Sequence, residues 1–289
     1  MRKTQMSFIV FSIMLMSVGT VFAATDRNVN TVLDLWKVRD NLGDNYTQTN
    51  TDIDLKDTNP ANIVAYSNTG TYTVGNIVSY DNYAYYCITA ITVGETFPPS
   101  KWTKMWEVSK GWDPIGTEAV PFHGNYDGGG KNISNLFIKR GVTTTPAVSV
   151  FPADGTNLVG LFGSVTNGSN ATNGNNTADI YIKNVRLINV NVTGKRGSGA
   201  LVGKVLLPNV NKAKLVIVQN CSVDGGTVTG FGAVGGLVGA NNSDRKQVSP
   251  MIRTSWANVT VASTLPTNKS INSSDNNNPY NIIWWLSWL

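Results

Sequence analysis

The sequence is short of titratable side chains. Asp, Glu, Lys and Arg make up 14% of its 289 residues, and there is one histidine, His123. A single histidine excludes a two-histidine zinc motif. Lys and Arg are diluted along the chain with no cluster of nucleic-acid type, so nucleic acid is not an expected partner. Only two cysteines occur, Cys87 and Cys221, and their spacing matches no metal motif. Each is expected to be a separately buried small apolar side chain. The apolar run Phe8–Val18 is too short to span a bilayer.

That run follows Arg2 and Lys3 and precedes Val21-Phe22-Ala23, a small-x-small cleavage pattern. Residues 1–23 therefore read as a secretory signal peptide. The residue directly after the cleavage point is Ala24 rather than cysteine, which disfavours a lipid anchor. Without this segment 266 residues remain, with 21 basic and 18 acidic side chains, a net charge of +3. That length suits one large domain or two modest ones.

What is abundant is glycine, in a phrase that returns three times: Asn157-Leu-Val-Gly-Leu-Phe-Gly163, Gly197-Ser-Gly-Ala-Leu-Val-Gly203 and Gly232-Ala-Val-Gly-Gly-Leu-Val-Gly239. Each copy follows a short run of alternating apolar residues. Such self-similarity points to stacked coils that bury their apolar faces only against one another. Strand starts are expected at Asn132-Ile133, Asn184-Val185, Asn220-Cys221 and Thr254-Ser-Trp256. From the second copy to the third, the strand start and the last glycine both move by 36 positions. Inward residues are expected at Val185, Leu187, Val190 and Val192, and at Val223, Val228 and Leu237. Glycines are assigned to sharp or positive-φ corners, and the Leu-Val pair inside the phrase to a short buried strand. Asn side chains in successive coils can stack as hydrogen-bonded ladders. Residues 141–156 and 168–178 read as extruded loops.

Upstream, Val32, Leu33, Leu35, Trp36, Val38 and Leu42 suit an amphipathic helix stopped by Gly43, placed to cap the array. Short strands are expected at Asn45–Thr49 and Asp52–Leu55. Residues 57–71 read as loop. Residues 72–108 are rich in Tyr, with Trp102 and Trp106. Two alternating runs across Asp81-Asn82 give a hairpin, and a third strand lies near Trp106. Residues 263–281 are Ser-, Thr- and Asn-rich and low in complexity. Ile282-Ile-Trp-Trp-Leu-Ser-Trp-Leu289 then reads either as a patch docking on the open end of the array or as the end of a truncated frame.

The glycine phrase resembles the GLUG motif of bacterial surface and secreted proteins. Leu35-Trp36-x-Val-Arg-x-Asn-Leu42, Asp52-Ile-Asp-Leu55, Trp112-x-Pro-Ile-Gly116, Pro121-Phe122-x-Gly-x-Tyr-Asp-Gly128 and Ile133-Ser-Asn-Leu136 follow that family's usual order. The resemblance implies a right-handed parallel β-helix-like solenoid in exported adhesins and cell-wall-associated proteins. Some relatives join such repeats to an IgA-protease-type metallopeptidase, whose zinc motif one histidine cannot supply. Residues 72–106 look like a chitin-binding-type carbohydrate module, in the order Tyr-x-x-Gly, Val-x-Tyr, Tyr, Gly-x-x-Pro, Trp. They depart from it at Cys87–Gly94, which carries none of the module's usual adjacent aromatics.

The fold class expected is all-β: a right-handed parallel β-helix-like solenoid with an N-terminal capping helix and a small inserted three-stranded aromatic β module. The segments are a signal peptide (1–23), cap and first coil (24–56), inserted unit (57–110), solenoid (111–262) and tail (263–289). Asp52 and Asp54 form a carboxylate pair of the kind used in glycoside hydrolysis, but few acidic groups accompany them on the later coils, so no catalytic residue is assigned. His123 is alone, Asp113 and Asp127 beside Gly128–Gly130 are read as turn formers rather than Ca²⁺ ligands, and the serines lack the base and orienting acid of a triad. No metal or cofactor is expected. The candidate carbohydrate-binding rings are Tyr80, Tyr83, Tyr85, Trp102 and Trp106, with Trp102 and Tyr83 expected to be the exposed ones. The function expected is that of a secreted or cell-surface bacterial adhesin-like protein that binds an extracellular glycan or a matrix or host surface, without catalysis and without a membrane span. Its competitors are a polysaccharide-degrading enzyme on a β-helix and a purely structural surface spacer.

Overall fold

A computed structural model describes residues 24–141, 158–167, 178–207, 215–243 and 250–264. The signal-peptide segment, nearly all of the two extruded loops and residues 265–289 lie outside the described residues.

The chain begins with β1 (Asp26–Val29), a short helix α1 (Val32–Lys37) and a 3-10 turn (Val38–Asp40), followed by β2 (Asn45–Gln48) and β3 (Ile53–Asp54). Four strands of the inserted unit come next: β4 (Val64–Ala65), β5 (Ile77–Tyr80), β6 (Tyr83–Cys87) and β7 (Trp102–Glu107). A second coil holds β8 (Asn125–Asp127), β9 (Asn132–Ser134), β10 (Phe137–Lys139), β11 (Leu158–Val159) and β12 (Phe162–Thr166). The third holds β13 (Ile180–Lys183), β14 (Arg186–Thr193), β15 (Gly197–Gly199) and β16 (Val202–Leu207). The fourth holds β17 (Val216–Gln219), β18 (Ser222–Gly230), β19 (Ala233–Gly235) and β20 (Val238–Ser243). The last described coil holds β21 (Met251–Arg253) and β22 (Trp256–Ser263).

Outside the inserted unit, each strand pairs in parallel with its counterpart one coil away, so these sheets run along the stack. One sheet orders β1-β2-β8-β13-β17-β21 and another β3-β9-β14-β18-β22, with β10 also on β14. Two three-stranded sheets, β11-β15-β19 and β12-β16-β20, complete the coil. From the third coil to the fourth the register is uniform: Ile180 faces Val216, Leu187 faces Val223, Gly197 faces Ala233 and Val202 faces Val238, each 36 positions on. The repeat read from the sequence is thus a physical coil.

Register turns the apolar alternation into columns. Tyr46, Tyr126, Ile182, Val218 and Ile252 stack in the first sheet, and Ile53, Ile133, Leu187, Val223 and Ala257 in the second. All but Ile252 and Ala257, in the last coil, are buried. Deleting one such side chain removes contacts with the coils above and below, which is why cores of this kind tolerate truncation poorly.

The corners between sheets carry the ladders. Asn184 and Asn220 adopt left-handed backbones at φ 56° and 52°, and Thr254 follows at 49°. Asn tolerates this conformation because its short amide bonds locally. The Asn220 Nδ2 donates to Asn184 Oδ1 at 2.7 Å, and Asn184 Nδ2 donates to Asp127 at 2.8 Å. A second ladder runs from Asn189 Nδ2 to Asn135 Oδ1 at 2.7 Å, and from Asn135 to Asp54 at 2.8 Å. Asn132 is not the counterpart of Asn184, however. It lies inside β9 opposite Arg186, and the glycine corner at 128–130 holds the equivalent turn.

The glycine phrase differs from its sequence reading in two ways. The strands are Gly197–Gly199 and the run from Val202, while Leu201 sits buried at the bend between them. The phrase glycines also do not take positive φ; those that do include Gly129, Gly130, Gly225 and Gly226. What the phrase needs is smallness. A Cβ on Gly203 would lie 2.7 Å from both the Gly163 carbonyl oxygen and the Val159 nitrogen, and one on Gly239 would lie 2.5 Å from the Ser198 nitrogen. Glycine lets the strands on either side of the bend close to backbone contact.

Helix α1 is shorter than expected, six residues followed by the 3-10 turn. Thr31 and Asp34 form a capping box at its start. It stands between β1 and β2 and buries Leu35 in the solenoid core, and the 3-10 turn adds Val38. The terminal edge of the first sheet is β1, not the helix. Among the described residues no helix is long and apolar enough to cross a membrane. Cys87 and Cys221 are both free and buried.

Candidate functional site

The inserted unit occupies the middle of a coil. Residues 45–54 supply two sides of it. The third side comes only after the insertion, where Ile115 bridges Phe162 and Phe122 bridges Val165 in parallel. A Cβ on Gly111 would lie 2.9 Å from the Thr58 carbonyl oxygen, so the chain leaves the solenoid and returns at adjacent backbone positions.

Within the unit, β5, β6 and β7 form an antiparallel meander, and β4 adds a fourth strand parallel to β5. The three-stranded expectation missed β4 because Val64–Ala65 is two residues long and carries no alternation. The two faces of this sheet have separate jobs. Ala84, Tyr86, Met105 and Trp106 belong to the solenoid core. Trp106 is fully buried and meets Trp36 edge to face at 5.6 Å, and Trp36 meets Trp112 at 5.5 Å. The Arg39 guanidinium lies 3.4 Å over the Trp36 ring and donates to the Asp113 carbonyl oxygen at 2.9 Å. Three indoles and a guanidinium thus anchor the unit to the coil.

The other face is an aromatic ridge. Tyr80 stacks on Phe97 at 4.0 Å with planes 3° apart, and Phe97 stacks on Trp102 at 5.6 Å and 13°. Tyr66 stacks on Tyr72 at 5.1 Å and meets Trp102 edge-on at 5.9 Å. Trp102 sits at the base, 5% exposed, and Tyr80 at the crest, 45% exposed. Tyr85 is half-buried against Phe97. Tyr83 is half-buried beneath the Lys104 ammonium, 3.3 Å from its ring centroid. The Glu95–Lys101 ion pair, 2.6 Å long, borders the ridge, and the Lys101 hydrogen bond holds the Glu95 carboxyl below its usual range. Tyr66 Oη donates to the Glu95 carbonyl oxygen at 2.8 Å.

These positions correct the expected exposures. Trp102 and Trp106 are core residues, one of the unit and one of the solenoid, and neither offers a free ring face. An indole is the largest apolar surface available to each cluster, so burial takes it first. Tyr80 is the exposed ring of the expected set. Phe97 and Tyr66 complete the ridge and were missed. The segment Gly94-x-x-Phe97-Pro98-Pro99 could have signalled Phe97, because a rigid loop presents its ring across the sheet.

The remaining candidates have structural partners. Asp52 accepts from the Asn132 backbone N–H at 2.8 Å and from its Nδ2 at 3.0 Å, while Asp54 accepts from Asn135. Asp113 pairs with Arg140 at 2.7 Å and Asp127 with Lys183 at 3.2 Å, on different elements. His123 places Nδ1 3.0 Å from the Pro121 carbonyl oxygen. Among the described residues no three His, Cys, Asp or Glu side chains converge as metal ligands would.

No protein-family model matches the chain, and no solved structure does. Among curated proteins it is similar to halomucin of Haloquadratum walsbyi (strain DSM 16790 / HBSQ001), with 32% identity over 146 residues. The aligned stretch is 49% of this chain and 1% of halomucin, so the chain spans a small fraction of that relative's length.

Proposed function

We propose that this is an exported, non-catalytic binding protein of the GLUG-repeat type, displayed at or beyond the cell surface, that holds glycans or matrix against a rigid rod. The observation carrying this reading is the Tyr80–Phe97 stack, presented on a unit that is itself locked to the coils by Trp36, Trp106 and Trp112. A flat exposed ring buries the apolar face of a pyranose, and nearby polar groups such as Glu95 and Lys101 fix its orientation. One such contact is weak, and a rod carrying many gains affinity through repeated engagement. Right-handed winding accords with the strong preference of parallel β crossovers for that hand. The leader-like residues 1–23 support export. The engagement of Asp52 and Asp54 in ladder hydrogen bonds supports a role without catalysis.

A glycan array probed with the whole chain tests the reading. Binding to at least one glycan class is expected, with Tyr80→Ala and Phe97→Ala each weakening it about tenfold, in line with a lost aromatic contact. Silence across the array would leave the spacer role as the better account.

A further inference from the structure

We propose a second carbohydrate site, on the solenoid itself, that takes an acidic pyranose such as a uronate. It rests on the glycan-binding reading but not on the aromatic ridge. The site lies at the corner between the two long sheets, where Arg186, Ser222 and Trp256 line one cleft of about 380 Å³ with Asn184, Asn220 and Thr254.

Register builds the cleft. Arg186 pairs with Ser222 and Ser222 with Trp256, so the three side chains stand in one outward column on consecutive coils. Parallel strands lie about 4.8 Å apart, which sets Arg186 and Trp256 roughly 10 Å apart with a short serine between them. A ring in van der Waals contact needs about 3.5–4.0 Å on each side, so the notch accepts one sugar ring and not two. Trp256 is 46% exposed, unlike Trp102, Trp106 and Trp112, which are buried.

Charge and hydrogen bonding choose the ligand. Arg186 is exposed and makes no ion pair or hydrogen bond among the described residues; the Asp52 carboxylate, on which it acts from a distance, is held by Asn132 instead. Two neighbouring cations are engaged, Lys183 with Asp127 and Arg253 with Gln219 at 2.7 Å. A guanidinium presents a planar donor fork that matches a carboxylate. The amide ladder also ends here. Asn220 spends its Nδ2 on Asn184, while the next coil offers Thr254 instead of another amide. The Asn220 side-chain Oδ1 and the Thr254 hydroxyl are thereby left to meet sugar hydroxyls. The cleft therefore supplies a ring platform, an anion fork and two acceptors, the complement of a uronate.

The test titrates the whole chain with a hyaluronan oligosaccharide, which alternates glucuronate with N-acetylglucosamine, and with a chitin oligosaccharide of equal length, by calorimetry. The acidic sugar is expected to bind the more tightly. Arg186→Gln and Trp256→Ala are each expected to weaken that binding about tenfold at unchanged melting temperature, and Ser222→Trp to abolish it by filling the notch. Equal binding of the two sugars would overturn the site, as would variants that leave the affinity unchanged. If Tyr80→Ala alone removes binding, the site falls and the glycan-binding reading stands. If neither sugar binds and a glycan array is also silent, both fall.

Discussion

At the residue scale, asparagine and aspartate act as fasteners between coils. Asp52, Asp54 and Asp127 each accept from an asparagine one coil further on. The Asp52 carboxyl is held below its ordinary value by the Asn132 backbone N–H first and the Asn132 amide second. For Asp127, burial pushes upward, but the Asn184 amide, the Gly129 N–H and Lys183 outweigh it and the net shift is downward. A carboxyl whose folded pKa is depressed stabilises the fold fully above its unfolded value, about 3.9, and loses that contribution as pH falls through the folded value. The melting temperature is therefore expected to hold from neutral pH to about 5 and to decline below about 4. In Asn132→Ala, a carboxyl carbon titration by NMR should show the Asp52 pKa moving up toward the ordinary range; an unmoved Asp52 would show that the side-chain bond contributes nothing. Burial pushes the Cys221 thiol up to about 12, in keeping with a packing role.

At the element scale, the glycine phrase is a packing device. Its Leu residues at 161, 201 and 237 point into the core at the bend, and the flanking glycines let two thin sheets touch. Gly203→Ala is expected to cost about 1–3 kcal/mol, because its Cβ would press on backbone atoms of the preceding coil that cannot rotate away. Gly141→Ala is the matched control, as a Cβ there meets nothing within 4 Å. Urea midpoints of the two variants decide this: equal midpoints would mean that closeness of the strands is not what the phrase secures. Sequence reading located the phrase and its period but assigned its glycines to corners. A one-letter pattern reports that a side chain is unwelcome, not whether the obstacle is torsional or steric.

At the scale of the whole molecule, the solenoid is one stack with a second sheet inserted into a coil. Thr58 and Gly111 touch, so the array need not open to admit the insertion. Replacing residues 59–110 by a short Gly-Ser link is expected to leave a folded, β-rich protein with a lower melting temperature. The loss comes from stripping the Trp106 ring from Trp36 and Trp112, about 3–5 kcal/mol for a buried indole. Circular dichroism and amide exchange on β14 and β18 are the readouts. Collapse of both would mean that the unit is integral to the coil. In repeat stacks each coil leans on its neighbours, so protection should fall toward the last described coil, where Met251 and Trp256 are exposed.

The sequence by itself determined the coil. A 36-residue offset, alternating apolar positions and recurring Asn-apolar steps are local signals, and strand register simply reproduces them in space. The presence of an aromatic unit was equally legible, because its composition breaks the repeat. Which of its rings face water was decided only by the tertiary structure. Trp102 and Tyr80 both alternate outward from the same sheet, but Tyr66 and Phe97, brought in from loops, cover one and only flank the other. The Arg186–Ser222–Trp256 column is likewise invisible in one dimension: its members lie 36 and then 34 positions apart and become neighbours only when coils stack. Local patterns encode which face of a strand is apolar, whereas exposure depends on what the rest of the chain lays against that face.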